Sequence, residues 1–270
     1  MPVNKDPSGK RSVQAEVDVP GTPEQVWEAI ATGPGISSWF VPSSVDGRVG
    51  GTASSNFGPG MESAGKIQTW EPPHRFVVET VEGPGAVATE WSVQALSGDT
   101  CKVRVVHSWF ADSDNWDKEF EGHTYGWAAF FRILAIYLKH FRGLSSHGAQ
   151  FNGMAPEPRP KAWDTLLEGL GFQGAAVGER RDSPTEAPPL GGVVESIGVP
   201  GYPELLVRLD RPTTGTAHLF AMSMGCQVYL SVRLYLYGDQ AQAAVAQAEP
   251  VWQAWLAKTF PPQMLAPIAT

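Results

Sequence analysis

Residues 119–142, EFEGHTYGWAAFFRILAIYLKHFR, constrain this chain more than any other stretch. On a helical period, Tyr125, Ala128, Ala129, Arg132, Ile133, Ile136 and His140 fall near one meridian, with Trp127, Phe130, Phe131, Leu134 and Leu138 beside it. Apolar side chains then cover well over half of the circumference, so a helix here needs other elements wrapped around it. A bilayer is not the wrapper. Arg132 and Lys139 interrupt the run, and the apolar stretch 133–138 is far short of the roughly 20 residues that span a membrane. A curved sheet is the natural alternative, and the preceding residues supply strands for one.

At 270 residues the chain is long for one compact domain, since domains commonly hold about 100–150 residues, and two units are expected. Twelve Phe and ten Trp can fill sizeable cores, while 29 Gly and 23 Pro call for many turns and long loops. A formal charge of -8 with no Lys/Arg cluster argues against a nucleic-acid partner, because phosphate binding needs a basic surface. Two cysteines far apart, Cys101 and Cys226, do not make a secreted disulfide framework. The opening residues MPVNKDPSGKR contain no hydrophobic segment, so neither signal peptide nor membrane insertion is expected, and the expected location is the cytoplasm.

Taken in order, residues 12–19 alternate Val13, Ala15, Val17 and Val19 with polar neighbours, the pattern of a half-buried strand. Thr22 is placed to cap a helix that has Pro23 at its first position and Gln25 closing a capping box, with Val26, Trp27 and Ile30 as its apolar stripe. A short helix or turn follows over 34–39. Strands are expected over 50–56, 65–71, 75–82, 87–95 and 101–110, joined by short Gly/Pro/Asp turns that favour antiparallel meanders. The loop 111–118 then leads into the long helix.

Strand, two short helices, antiparallel strands and one long helix is an order that resembles the helix-grip fold of the START-like superfamily, also called SRPBCC. Within it the chain resembles the branch named for the activator of the heat-shock-protein-90 ATPase. Four spaced motifs carry the resemblance: VDVPGTPEQVWEAIATGPGISSWF, the Gly50-Gly51 pair, GKIQTWEPPHRFVVE, and GWAAFF with Leu134. It covers residues 12–143. The resemblance implies an α+β fold in which an antiparallel sheet grips the long helix around a cavity lined by the functional side chains. Trp109 departs from the pattern, standing where a small residue is common, and narrows any such cavity.

Residues 144–160 lack periodicity and are rich in Gly, Ser and Pro, which reads as a linker or surface crossing. Beyond them KAWDTLLEGLGF reads as a short helix, 180–192 as a loop, and 193–199, 205–209, 215–224 and 227–237 as strands. A closing helix over 240–260 is expected to kink or break at Pro250. This smaller α+β unit, 161–270, repeats the first half in shortened form and is either a degenerate second helix-grip repeat or an unrelated small domain.

Alternation picks the inward-facing set. Cys101, Val103, Val105, His107 and Trp109 share one face of their strand, and Val87, Thr89, Trp91 and Val93 share one face of theirs. Trp39, Phe40, Tyr125 and Phe131 from the helical parts complete an aromatic, sparsely polar lining. The candidate ligand-binding residues are thus Trp39, Phe40, Trp91, Val105, His107, Trp109, Tyr125 and Phe131, set against the alternative that these side chains simply fill the core. An inward imidazole can act as a general base, so His107 and Tyr125 are the candidate catalytic residues; the alternative is a histidine hydrogen-bonded to Tyr125 or backbone. Glu79 and Glu90 read as solvated. Residues 112–120 are either a gate or cation site, or a loop whose Asp117 caps the long helix.

Other chemistries are marked by missing motifs. G-x-S-x-G and H-E-x-x-H do not occur, and Cys101 and His107 lie about 20 Å apart along a strand, too far to share a metal. No cofactor and no metal are expected. The sequence therefore points to a binding protein that holds an apolar or aromatic small molecule in an internal cavity, with a homodimer or a protein partner possible. Two other readings stay open: a polyketide cyclase-like enzyme using the cavity His and Tyr, and a stress-related co-chaperone-like module that binds protein.

Overall fold

The structure is a computed structural model that describes residues 3–58, 60–83, 85–111, 116–199 and 201–261. For helical residues 118, 119 and 121–125 it describes the backbone alone. The chain divides into two compact units, Met1–Gly143 and Leu144–Thr270.

The first unit opens with strands β1 (Asn4–Lys5) and β2 (Lys10–Pro20), then helices α1 (Pro23–Ala31) and α2 (Gly33–Ser37). Strands β3 (Ser43–Val45), β4 (Thr52–Asn56), β5 (Glu62–Glu71), β6 (Arg75–Glu82), β7 (Gly85–Ala95) and β8 (Thr100–Phe110) follow, and helix α3 (Asp117–His140) closes it. All eight strands form one antiparallel sheet in the order β1-β2-β8-β7-β6-β5-β4-β3. The expected capping box starts α1: Gln25 N donates to Thr22 Oγ1 at 3.4 Å, and Thr22 N donates to Gln25 Oε1 at 3.0 Å. The Gly50-Gly51 pair has a physical cause. Gly50 takes φ +79°, and a Cβ on Gly51 would run into the carbonyl oxygens of Asp46 and Arg48.

Burial follows the expected alternation. In β8, Cys101, Val103, Val105 and Trp109 are buried, and they pair across the sheet with Ala95, Val93, Trp91 and Val87 of β7. The C-terminal half of α3 is buried nearly all round, with Ile133, Leu134, Ile136, Tyr137 and Leu138 each under 9% exposed, as the breadth of its apolar surface requires.

The second unit contains β9 (Ser146–Pro156), α4 (Arg159–Gly169), β10 (Arg180–Asp182), β11 (Gly191–Val199), β12 (Tyr202–Arg211), β13 (Gly215–Met224), β14 (Gln227–Tyr237) and α5 (Ala241–Thr259). Its six-stranded antiparallel sheet runs β10-β11-β12-β13-β14-β9. Most of the expected linker is therefore a strand: β9 pairs with β14 residue for residue, from Ser146↔Tyr237 to Pro156↔Gln227. Its Gly and Ser content hid it, because only Phe151 and Ala155 are buried and no apolar alternation shows. Part of the expected loop 180–192 is likewise the short strand β10, held by pairing to β11.

Helix α5 continues through Pro250 rather than breaking there. Proline removes one hydrogen bond of the helical ladder, but Ala241 and Ala248 before it and Trp252 and Leu256 after it are buried in one core, which keeps both halves in one continuous helix. The path of the two units is similar. The first long strand, β2 or β9, pairs with the last, β8 or β14; helix follows that strand, a meander fills the rest of the sheet, and a long helix follows the last strand, with the two-residue β1 an addition at the edge of the first sheet.

Candidate functional site

A cavity of about 620 Å³ opens between the sheet of the first unit and the N-terminal half of α3. One wall is aromatic: Phe40, Phe57, Phe76, Trp91, Trp127 and Phe130. These rings pack mainly on one another. Phe40 stacks on Trp127 at 5.2 Å and meets Phe130 edge-on at 4.4 Å, while Trp91 stands edge-on to Trp127 at 5.0 Å and stacks on Phe76 at 6.0 Å. Each such pair contributes about 0.5–1.5 kcal/mol beyond area burial, so the wall is stiff. The other side is small and polar, with Ala53, Ser54, Ser63, Ala64 and Thr80 from β4, β5 and β6. Gly126 forms part of the helical wall, and a Cβ placed on it meets nothing within 4 Å.

His107 sits in the wall with both ring nitrogens engaged. Its Nε2 lies 2.6 Å from the indole Nε1 of Trp127, and its Nδ1 lies 2.9 Å from Thr89 Oγ1, its cross-strand neighbour. An indole N–H only donates, so Nε2 is the acceptor, and the neutral ring carries its proton on Nδ1 facing Thr89. The lone pair that a general base would use is therefore taken up by Trp127. Neither of the sequence alternatives named these partners. Glu90 lies on the opposite face, where Arg75 Nε and Nη2 donate to its Oε2 at 2.9 and 2.8 Å, and this contact holds the guanidinium above its ordinary pKa. Glu79 is exposed on the same strand face as expected.

Of the eight residues singled out for binding, Phe40, Trp91 and His107 line the cavity. Trp39 is fully buried behind it, its indole donating to Ala29 O at 2.9 Å and its ring lying against Phe40, Trp91 and Phe131. Phe131 and Val105 are core residues, at 2% and 0% exposure. Trp109 does not narrow the cavity. It stacks on Phe120 at 4.0 Å in a separate cluster with Val13 and Val87. Tyr125 lies outside the residues whose side chains are described.

Trp127, Phe130 and Gly126 were the helix residues that alternation could not select, since a helix apolar on most of its surface does not advertise which face borders a void. Gly126 did carry a signal: glycine inside a strong helical pattern costs about 1 kcal/mol relative to alanine and needs a reason. Residues 112–115 lie outside the described residues, but Asp117 is placed. It does not cap α3; as the first helical residue it takes both bonds from Arg11 Nη1 at 2.7 Å, with Lys5 Nζ at 2.8 Å. This buried pair fastens β2 to the start of α3.

Residues 20–139 match the family described as Activator of Hsp90 ATPase homolog 1-like protein. Among solved structures, CalU16 from Micromonospora echinospora is similar, at 21% identity and TM-score 0.41, over 52% of this chain and 83% of that one. The Aha1 dimer from Colwellia psychrerythraea is similar at 19% identity and TM-score 0.41, over 48% and 96%. The di-domain ARO/CYC BexL from the BE-7585A biosynthetic pathway is similar at 10% identity and TM-score 0.45, over 94% and 99%. Comparison with curated proteins gives no match. No helix among the described residues is long and apolar enough to cross a membrane. The matched span runs from the end of β2 to the end of α3, and over it the N-terminal unit matches the family described as Activator of Hsp90 ATPase homolog 1-like protein.

Proposed function

We propose that the N-terminal unit is a binding module that holds an apolar, aromatic small molecule between α3 and the sheet. The single observation that carries this reading is the roughly 620 Å³ cavity walled on one side by mutually packed aromatic rings and on the other by small hydroxyl and alanine side chains. Its size falls within the range of ordinary ligand pockets, about 300–1,000 Å³. The stiffness of the aromatic wall favours a preformed site for a flat molecule.

The cyclase-like alternative, with His107 as general base, is the weaker of the two, because Trp127 already occupies the ring nitrogen that would take a proton. The second unit is read as a repeat of the first whose core is closed where Phe151 stacks on Trp252 at 5.5 Å and Leu219, Leu230 and Val232 pack beside them, with a smaller pocket of about 470 Å³ between β9 and the end of α5. It serves in this reading as a companion to the binding unit.

The test is native mass spectrometry of the purified chain, followed by titration with a hydrophobic fluorescent probe. Wild type is expected to carry a co-purifying mass or to bind the probe, and Gly126→Leu, which sends a side chain into open space, is expected to lose it while staying folded. Equal binding by both proteins would place the ligand elsewhere and sink the proposal. A co-purifying polypeptide or a dimeric mass would favour a protein partner or a second copy instead.

A further inference from the structure

The polar end of the cavity has a sign. Glu62 and Glu82 both border it, and among the described residues no Lys or Arg does. Glu82 Oε1 accepts from Thr80 Oγ1 at 2.8 Å, which fixes that carboxylate beside the cavity. Ser63 shares the inward face of β5 with Gly65 and Ile67, while Glu62 and Ser54 border the cavity from the opposite face at its rim; none of the three has a hydrogen-bond or ion-pair partner among the described residues. Opposite them stand Trp127, Phe40 and Phe130, whose ring faces attract cations as well as apolar groups. The formal charge of -8 on the whole chain adds a long-range field of the same sign.

We infer that the cavity selects an aromatic molecule bearing a protonated amine and discriminates against carboxylates and phosphate esters. This rests on the binding reading above and adds the ligand's chemical class. The ring system would lie against the aromatic wall while the ammonium, a donor with three N–H groups, meets Glu62, Glu82 and the serine hydroxyls. An anionic guest entering the same way finds two carboxylates at the rim and, among the described residues, no Lys or Arg to offset its desolvation.

The test is isothermal titration of the full chain with three probes that share one ring: naphthylmethylammonium, naphthylmethanol and naphthoate. The ammonium is expected to bind about tenfold more tightly than the carboxylate at low ionic strength, with the alcohol between them and the ratio shrinking at high salt, since both carboxylates are exposed enough to be screened. The double variant Glu62→Gln, Glu82→Gln is expected to bring the ratio to about twofold, with circular dichroism confirming an unchanged fold. Naphthoate binding as tightly as the ammonium, or a ratio that survives the double variant, would overturn the charge selection and leave the binding reading standing. Failure of all three probes to bind would overturn the binding reading itself, and this inference with it.

Discussion

Trp127→Phe isolates the contact that decides what His107 can do. The substitution keeps a ring stacked on Phe40 and edge-on to Trp91, but removes the indole N–H that lies 2.6 Å from His107 Nε2. A neutral hydrogen bond of this kind contributes about 1 kcal/mol net, and the lost part of the ring adds a fraction of the ~0.8 kcal/mol that each buried CH₂ is worth. Both residues are only half-buried, so the freed nitrogen can take up water and no full desolvation penalty applies. The expected loss of stability is therefore about 1–2 kcal/mol, read from a urea titration of the variant against wild type. The sharper readout is long-range ¹H–¹⁵N correlation of the histidine rings, with His107 assigned by comparison with His107→Gln. In wild type its Nδ1 is expected to be protonated and its Nε2 bare; a preference of about 1 kcal/mol makes the ratio of tautomers about fivefold. In Trp127→Phe that preference relaxes. An Nε2-protonated His107 in the wild-type protein would refute the arrangement, and with it the argument against His107 as a base.

Gly126→Ala is expected to stabilise the first unit by about 0.5–1 kcal/mol, a few degrees in melting temperature, because it improves helix propensity and its Cβ meets nothing within 4 Å; a fall in melting temperature would contradict that open position. Burial, opposed in part by Arg233, pushes the Tyr235 hydroxyl up to about 12 from 10.0. Between those values the unfolded chain gives up a proton that the folded chain keeps, so stability present below pH 10 is lost as pH rises, by about 2–3 kcal/mol in all. Urea midpoints across that window should fall for wild type and flatten for Tyr235→Phe, and parallel slopes would show that Tyr235 is not the group responsible. The Cys101 thiol is 1% exposed, is pushed up by burial and lies 3.2 Å from Gly21 O, whereas Cys226 is exposed. Iodoacetamide should modify the native protein on Cys226 alone, as read by peptide mass mapping, and early label on Cys101 would mean that β8 opens more readily than its packing allows.

What the sequence made legible was whatever repeats with a fixed period. Alternation in 101–109 and 87–93 assigned the faces of β7 and β8 correctly, and the capping box at Thr22 placed α1, because these signals depend on neighbours two to four residues away. What it hid depends on distant partners. Strand β9 is a strand because β14 offers it a full ladder, not because its own residues alternate. His107 was recognisable as an inward-facing imidazole, but its partner Trp127 comes from a helix 20 residues on, and only the packed fold brings the two together. Trp109 and Phe131 were correctly expected to face inward, yet inward meant core and not cavity, a distinction that depends on where the sheet and helix stand apart.

That last distinction explains how similar paths through space can leave openings in different places: in the first unit between the sheet and the start of α3, in the second a pocket of about 470 Å³ between β9 and the end of α5. In the second unit the sheet sends Leu205, Val207, Leu209, Leu219 and Val232 toward Trp252 and Leu256, branched side chains of similar reach that close on one another. In the first unit the strands nearest the opening, β4 and β5, present Ala53, Ser55 and Ser63, which are too short to meet the helix, and the helix answers with Gly126. Meanwhile Trp39, Phe40, Trp91 and Trp127 pack ring against ring and hold α3 at a distance that those short side chains cannot bridge. The topology thus supplies the grip, and residue size at β4, β5 and position 126 decides whether anything is left inside it to hold.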